Sequence, residues 1–357
     1  MSVKVLFITG KLQHYRVPIF NLIVKNSNID LTVAHASKKI TTEDDLFEEK
    51  ILNEKKLGPF TYHKENLLKY CNEFDVVVSM LYLQKLSLMK LLFSRRKFKL
   101  LYWGIGVKAS QNSEFDAPTF LNKIRYYIAR KSDGMIFYTE YAKDKYIANG
   151  IKKEKLFVMN NTVEVLPKIT KAEKKEILLF VGTLNKSKKI LDLLKAYKKV
   201  YATNKELPIL EVVGNGVDFE EANTWVKENN LSEKIKMLGA IYDELELEKK
   251  YKRALACISP GQAGLSVLSA FGHGVPFITS SNAITGGERL NIKNGFNGIL
   301  FSTNEELENI IADIATNPKK YIKMGDNAQE FYHKERSPKI MAKGFIDAVN
   351  YVQNKDS

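Results

Sequence analysis

Short apolar runs rich in Val, Ile, Leu and Phe recur along the chain, and between them apolar positions fall at the three- and four-residue spacing of a helix face. VKVLFIT, IDLTVAHA, DVVVSM, KLLYWGI and GMIFYT form a first series. Continuous apolar runs of this length predict strands buried on both faces, and the helical segments between them predict crossovers, so a parallel sheet is expected. A polar, lysine-rich passage, NNTVEVLPKITKAEKKE, then breaks the pattern and reads as a linker. EILLFVG, PILEVVG, KIKMLGA, LACISPG, PFITSS and GILFS begin the series again, each closed by a turn signal. Two doubly wound, Rossmann-like α/β domains are predicted, residues 1–162 and 176–336, joined by a linker over 163–175 and followed by a helix within 337–357.

Length agrees with that division, since 357 residues with 45% hydrophobic content exceed one compact unit. No apolar run reaches the roughly 18 residues of a membrane-spanning helix, and MSVKVLFIT reads as a strand, not a signal peptide. A cytoplasmic chain is expected, free or peripheral on the inner face of the membrane. Cys71 and Cys257 are the only cysteines, far apart and without His at ligand spacing, which argues against a disulfide framework or a zinc site. The formal net charge of +14 fits nucleic acid, an anionic membrane or an anionic small substrate, which charge alone does not separate, and no nucleic-acid partner is expected. Leu83 to Lys99 reads as an amphipathic helix ending in Arg95, Arg96, Lys97 and Lys99, with a second basic stretch at Lys123, Arg125, Arg130 and Lys131. Basic residues over leucines suit a membrane surface. The same pattern also fits a helix whose leucines face its own sheet.

The richest segment is ACISPGQAGLSVLSAFGHGVPFITSSNAITGGERLNIKNGFNGIL, Ala256 to Leu300. A strand there enters a turn at Gly264 and a helix from about Leu265, whose free amides would face a ligand in the turn, the layout of a phosphate site. Gly274-Val275-Pro276 ends the helix, where His273 is expected to carry positive charge against the helix C-terminus. GLSVLSAFGHGVP and GGERLNIKNGFNG, with FVGTLNKSKKILDLLKAY upstream, resemble the nucleotide-sugar half of the retaining glycosyltransferases of family 4 (group 1), which have the GT-B fold.

That resemblance implies a hexosyltransferase-type enzyme (EC 2.4) of bacterial surface-polysaccharide (O-antigen, capsule) biosynthesis. It would move a sugar from a nucleoside-diphosphate donor, UDP before GDP, to a glycan or lipid-linked acceptor with retention and without a metal cofactor. It also implies a last helix that crosses back onto the first domain. The two glutamates of the family motif fall at Gly261 and Ser269, and the usual arginine falls at Thr183. Lys188 is retained and is expected to stabilise the leaving diphosphate, with Lys186 standing in for the arginine. Glu288 is the carboxylate left for donor hydroxyls. Gly182, Gly214, Gly261, Gly264, Leu265, Ser266, Ser269 and Gly287 complete the expected donor pocket. On the acceptor side, the ends of the strands VKVLFIT and KLLYWGI supply Gly10, His14, Arg16, Trp103 and Gly104, with His14 as a base and Arg16 for a phosphate or carboxylate.

Other features carry less. Gly104-Ile105-Gly106-Val107-Lys108-Ala109 has dinucleotide-type spacing but is followed by SQNSEFDAP and no helix pattern, and Thr9-Gly10-Lys11 lacks the earlier glycine of a P-loop. No Asp-x-Asp occurs to hold a metal. His35 and His63 lie near strand ends without an identifiable partner, and His333 falls in a polar helix pattern. Two rival functions stand beside the transferase: a non-catalytic GT-B binding or partner subunit, suggested by Gly261, Ser269 and Thr183, and a UDP-sugar epimerase.

Overall fold

The computed structural model describes residues 2–110, 114–166 and 174–354. Its strands in chain order are β1 (Val3–Ile8), β2 (Ile29–His35), β3 (Glu48–Ile51), β4 (Glu54–Leu57), β5 (Phe60–His63), β6 (Val76–Met80), β7 (Lys99–Gly104), β8 (Gly134–Phe137) and β9 (Leu156–Val158), then β10 (Ile177–Val181), β11 (Ile209–Val213), β12 (Ile235–Gly239), β13 (Ala254–Ile258), β14 (Phe277–Ser280) and β15 (Gly298–Phe301). Every apolar run named above is a strand. β3, β4 and β5 were not predicted, because EEKI, EKKL and FTYH lack a continuous apolar run; the three-residue β9 was missed as well.

Chain contacts group residues 1–108, 117–164 and 337–357 into one unit and residues 109–116 and 165–336 into a second. Residues 167–173 of the expected linker lie outside the described residues. The first unit holds a parallel sheet in the order β3-β2-β1-β6-β7-β8-β9, and β4 pairs with β5 as a separate antiparallel ribbon. In the second unit the parallel order is β12-β11-β10-β13-β14-β15. Both sheets reverse strand order beside their first strand, between β1 and β6 and between β10 and β13. Ligands of open parallel sheets bind beyond the carboxyl ends of the strands at such reversals.

Each sheet is covered by amphipathic helices. In the first unit Phe7, Val33, Val78 and Trp103 share a core with Ile19, Phe20 and Ile23 of the helix Val17–Lys25. The last helix, Pro338–Asn354, belongs to this same core: Met341, Phe345, Ala348, Val349 and Val352 are all buried in it. It packs on the helix Val17–Lys25 and on β9, so closely that a Cβ on Gly344 would lie 2.1 Å from the Val158 carbonyl oxygen. In the second unit Phe180, Leu193, Leu194, Tyr197, Leu210 and Ile311 lead the core.

The amphipathic helix expected over 83–99 is shorter, Leu86–Phe93, with Leu88, Leu91 and Leu92 buried. Arg95 to Lys97 follow it and Lys99 opens β7, so those charges do not extend the helix face; Arg96 pairs with Asp133 at 3.0 Å. Phe93 stacks on Tyr127 of the helix Leu121–Lys131, with ring centroids 6.4 Å apart, and both rings are exposed. Among the described residues no helix is long and apolar enough to cross a membrane.

Candidate functional site

At the reversal of the second sheet, β10 lies between β11 and β13, and the loops leaving these strands meet beyond their carboxyl ends. Gly182 donates to the Val213 carbonyl at 3.0 Å and Leu184 to that of Asn215 at 2.9 Å, so the loops after β10 and β11 run side by side. That approach dictates glycine at 214, where φ is +148° and a Cβ would fall 1.9 Å from the Gly182 carbonyl oxygen. The chain then turns through the short helical segment Lys186–Lys188, with the Asn185 side chain accepting from the Ser187 amide at 3.1 Å and Lys189 left-handed at φ +53°.

The turn places Lys188 against Gly182, where a Cβ would lie 3.3 Å from the Lys188 Cε and Nζ. Lys188 is 8% exposed, and among the described residues no carboxylate forms an ion pair with its ammonium. Burial pushes its pKa down, as expected for a cation without a counter-charge. Thr183 and Lys186 are exposed beside it.

The loop after β13 packs on this turn. Gly261 donates to the Lys188 carbonyl at 3.2 Å and accepts from Ile284 at 2.8 Å. A Cβ on Gly261 would lie 2.1 Å from the Ser187 carbonyl oxygen and 2.8 Å from the Lys189 Cγ. Position 261 is therefore a close contact between two backbones, not a vacated carboxylate site. Gly264 has open space where its Cβ would be, and Leu265 is half-buried. The helix that follows, Ser266–Gly272, is only seven residues long. So short a helix leaves most of the work of holding an anion to a side chain. The Ser266 hydroxyl oxygen is buried and makes no hydrogen bond among the described residues.

His273 departs from expectation. Burial lowers its pKa, its ring stacks on Tyr251 with centroids 4.4 Å apart, and its Nδ1–H donates to the Ser269 carbonyl at 2.8 Å. Burial thus disfavours the charged form, and the ring serves packing at the helix end. Ser269 lies half-buried on that helix. Glu288 is 9% exposed and accepts from the Gly286 amide at 3.0 Å and from the Thr285 hydroxyl at 3.4 Å, beside Gly287 at φ +126°. Part of its carboxylate thus shapes its own turn.

The first unit offers a cavity of about 180 Å³ lined by Thr9, Lys11, Gln13, Arg16, Met80 and Trp103 among others. Arg16 is 6% exposed; its guanidinium donates to Tyr138 Oη at 3.5 Å, to Met341 Sδ at 3.1 Å and to Asn161 Oδ1, and lies over the rings of Trp103, Tyr138 and Tyr15 at 5.1, 5.5 and 5.2 Å. Trp103 is buried against Phe7. His14 is exposed and does not line this cavity, while a Cβ added at Gly10 or Gly104 would meet neighbours only at ordinary contact distances.

Two histidines set aside in the sequence have partners. His35 Nε2–H donates to Glu49 at 2.7 Å, and His63 Nε2 lies 3.2 Å from Glu54, which also binds the Lys85 ammonium. That ammonium would stand 3.4 Å from a Cβ on Gly10. The cluster was missed because Glu54 and His63 sit on the two strands of the polar β4–β5 ribbon; the only sequence signal was Gly58-Pro59 as a turn between them. His333 lies in a π-helical turn, Tyr332–Arg336.

Residues 161–331 match the family model of the glycosyl transferases group 1. The matched stretch contains every expected donor residue, from Gly182 to Glu288. The fold is GT-B. Over 98% of this chain and 100% of theirs, similar solved structures include HepE of Anabaena in complex with UDP (TM-score 0.70, 14% identity) and TarM of S. aureus with fondaparinux, α-GlcNAc-glycerol and UDP (TM-score 0.69, 10% identity). WaaB, a lipopolysaccharide outer core galactosyltransferase, is similar over 97% of this chain and 99% of its own, with a TM-score of 0.65 at 16% identity. No curated protein matches.

Proposed function

We propose that this chain is a retaining hexosyltransferase (EC 2.4) that moves a sugar from a nucleoside-diphosphate donor, UDP before GDP, to a glycan or lipid-linked acceptor in the assembly of a bacterial surface polysaccharide. The observation that carries the reading is Lys188. A buried ammonium without a counter-charge, at the carboxyl end of β10 and next to the sheet's reversal, is a ready seat for a diphosphate. In that role it offsets the donor's charge and then the charge developing on the departing diphosphate oxygen, so no metal is required. The lowered pKa returns upward when the anion enters, because the counter-charge favours the ammonium. Glu288 and the unpartnered Ser266 hydroxyl are the groups for donor hydroxyls.

UDP in the HepE and TarM complexes supports the donor class, and WaaB, a lipopolysaccharide outer core galactosyltransferase, supports the polysaccharide setting. The first unit, with Arg16 and Trp103, takes the acceptor. Exposed Phe93, Phe120 and Tyr127 beside Lys123 and Lys131 support contact with an anionic membrane surface. Gly261 favours one alternative, a donor-binding partner subunit that turns nothing over, since the contact at that position leaves no room for the carboxylate of the family motif.

Thermal unfolding in the presence of UDP-, GDP-, dTDP- and CMP-sugars tests the reading. We expect one uridine or guanosine ligand to raise Tm in the wild type and the shift to vanish in Lys188→Ala. No shift with any nucleotide overturns it. Binding without sugar transfer across acceptors selects the partner subunit.

A further inference from the structure

We infer that the cavity of the first unit holds an oxyanion, a phosphate or carboxylate carried by the acceptor, between Arg16 and Trp103. This rests on the acceptor role proposed above for that unit and names the chemical class of what it takes. A guanidinium has five N–H donors, and Arg16 directs three hydrogen bonds at two neutral oxygens and a thioether. No carboxylate pairs with it among the described residues, although it is 6% exposed. Buried cations ordinarily carry a paired anion, and ring faces replace only part of that interaction.

The second observation is independent of Arg16's charge. Trp103 Nε1–H is buried and without an acceptor among the described residues, and Trp103 lines the same cavity. A buried donor left unmade is costly, and one oxygen of an anion would satisfy it while another meets the guanidinium. Lys11, exposed at the same cavity, adds a second cation. A neutral sugar hydroxyl could take the indole proton but would leave the guanidinium without its counter-charge.

The chain has two tryptophans, so Trp225→Phe leaves Trp103 as the sole indole reporter. In that background the emission of Trp103 is followed during titration with glucose 6-phosphate, with glucuronate and with neutral methyl glucoside. One or both charged probes should change the emission saturably, and which of them does so distinguishes phosphate from carboxylate; methyl glucoside should not at the same concentrations. Arg16→Gln should weaken the charged probe about tenfold, and Arg16→Lys less. Because Arg16 is packed, the exposed Lys11→Gln gives a second variant that leaves the core intact and should weaken binding and flatten its salt dependence. Equal binding of methyl glucoside, or silence from both charged probes, overturns the proposal. The nucleotide-induced Tm shift is read on the same protein: if it persists while the cavity is silent, only this inference falls, and if it is absent everywhere, the transferase reading falls with it.

Discussion

A Cβ on Gly261 would sit 2.1 Å from the Ser187 carbonyl oxygen, so restoring the family's glutamate there sets a side chain into backbone. Gly261→Glu is expected to cost at least about 2 kcal/mol in urea unfolding and to add nothing to donor binding; a variant as stable as the parent would show that the loop yields. Lys188 was expected from the resemblance of FVGTLNKSKKILDLLKAY to the family motif, and the structure buries its side chain against Gly182. The reason for Gly261 was not legible in the sequence, since it depends on how near one loop comes to another. Arg16 was read as an anion-seeking side chain, but its ring faces come from residues as distant as Tyr138, and no local pattern announces them. His273 shows the reverse case, where the helix-end rule suggested charge and burial against Tyr251 works against it.

Among elements, strands buried on both faces were readable and polar edge strands were not. β3 is held by a buried carboxylate in place of apolar side chains: Glu49 accepts from the Ile40 amide at 3.0 Å, from the Thr41 amide and hydroxyl at 2.8 and 2.6 Å, and from His35. Burial works to raise its pKa, but these hydrogen bonds prevail and hold it below the ordinary value of 4.5. A carboxylate with a depressed folded pKa contributes stability that is present above the unfolded pKa and lost as pH falls through the folded one. Urea midpoints measured from pH 7 to pH 3 should therefore fall less steeply for Glu49→Gln, from a lower starting stability; parallel curves would remove Glu49 as the anchor of β3. The helix Ser266–Gly272 was placed correctly from its glycines, but its seven residues make it a minor source of field compared with Lys188.

For the whole molecule, repetition of the strand and helix pattern was enough to foresee two parallel sheets, because each sheet's core is built from its own apolar runs. The make-up of the first unit was harder to read, as its core includes a helix that begins at Pro338, far along the chain from its last strand, which ends at Val158. Ending the chain after Arg336 would strip Met341, Phe345 and Val349 from that core and remove an acceptor of the Arg16 guanidinium. Limited proteolysis should then cut the first unit rapidly and leave the second resistant; equal resistance of both would deny the helix its role. The same feature sets an order on synthesis. A ribosome delivers residues 1–164 first, but this unit cannot close until the last helix leaves the exit tunnel. The second unit, made later, can finish folding sooner, and meanwhile the open sheet must wait exposed, a natural client for chaperones.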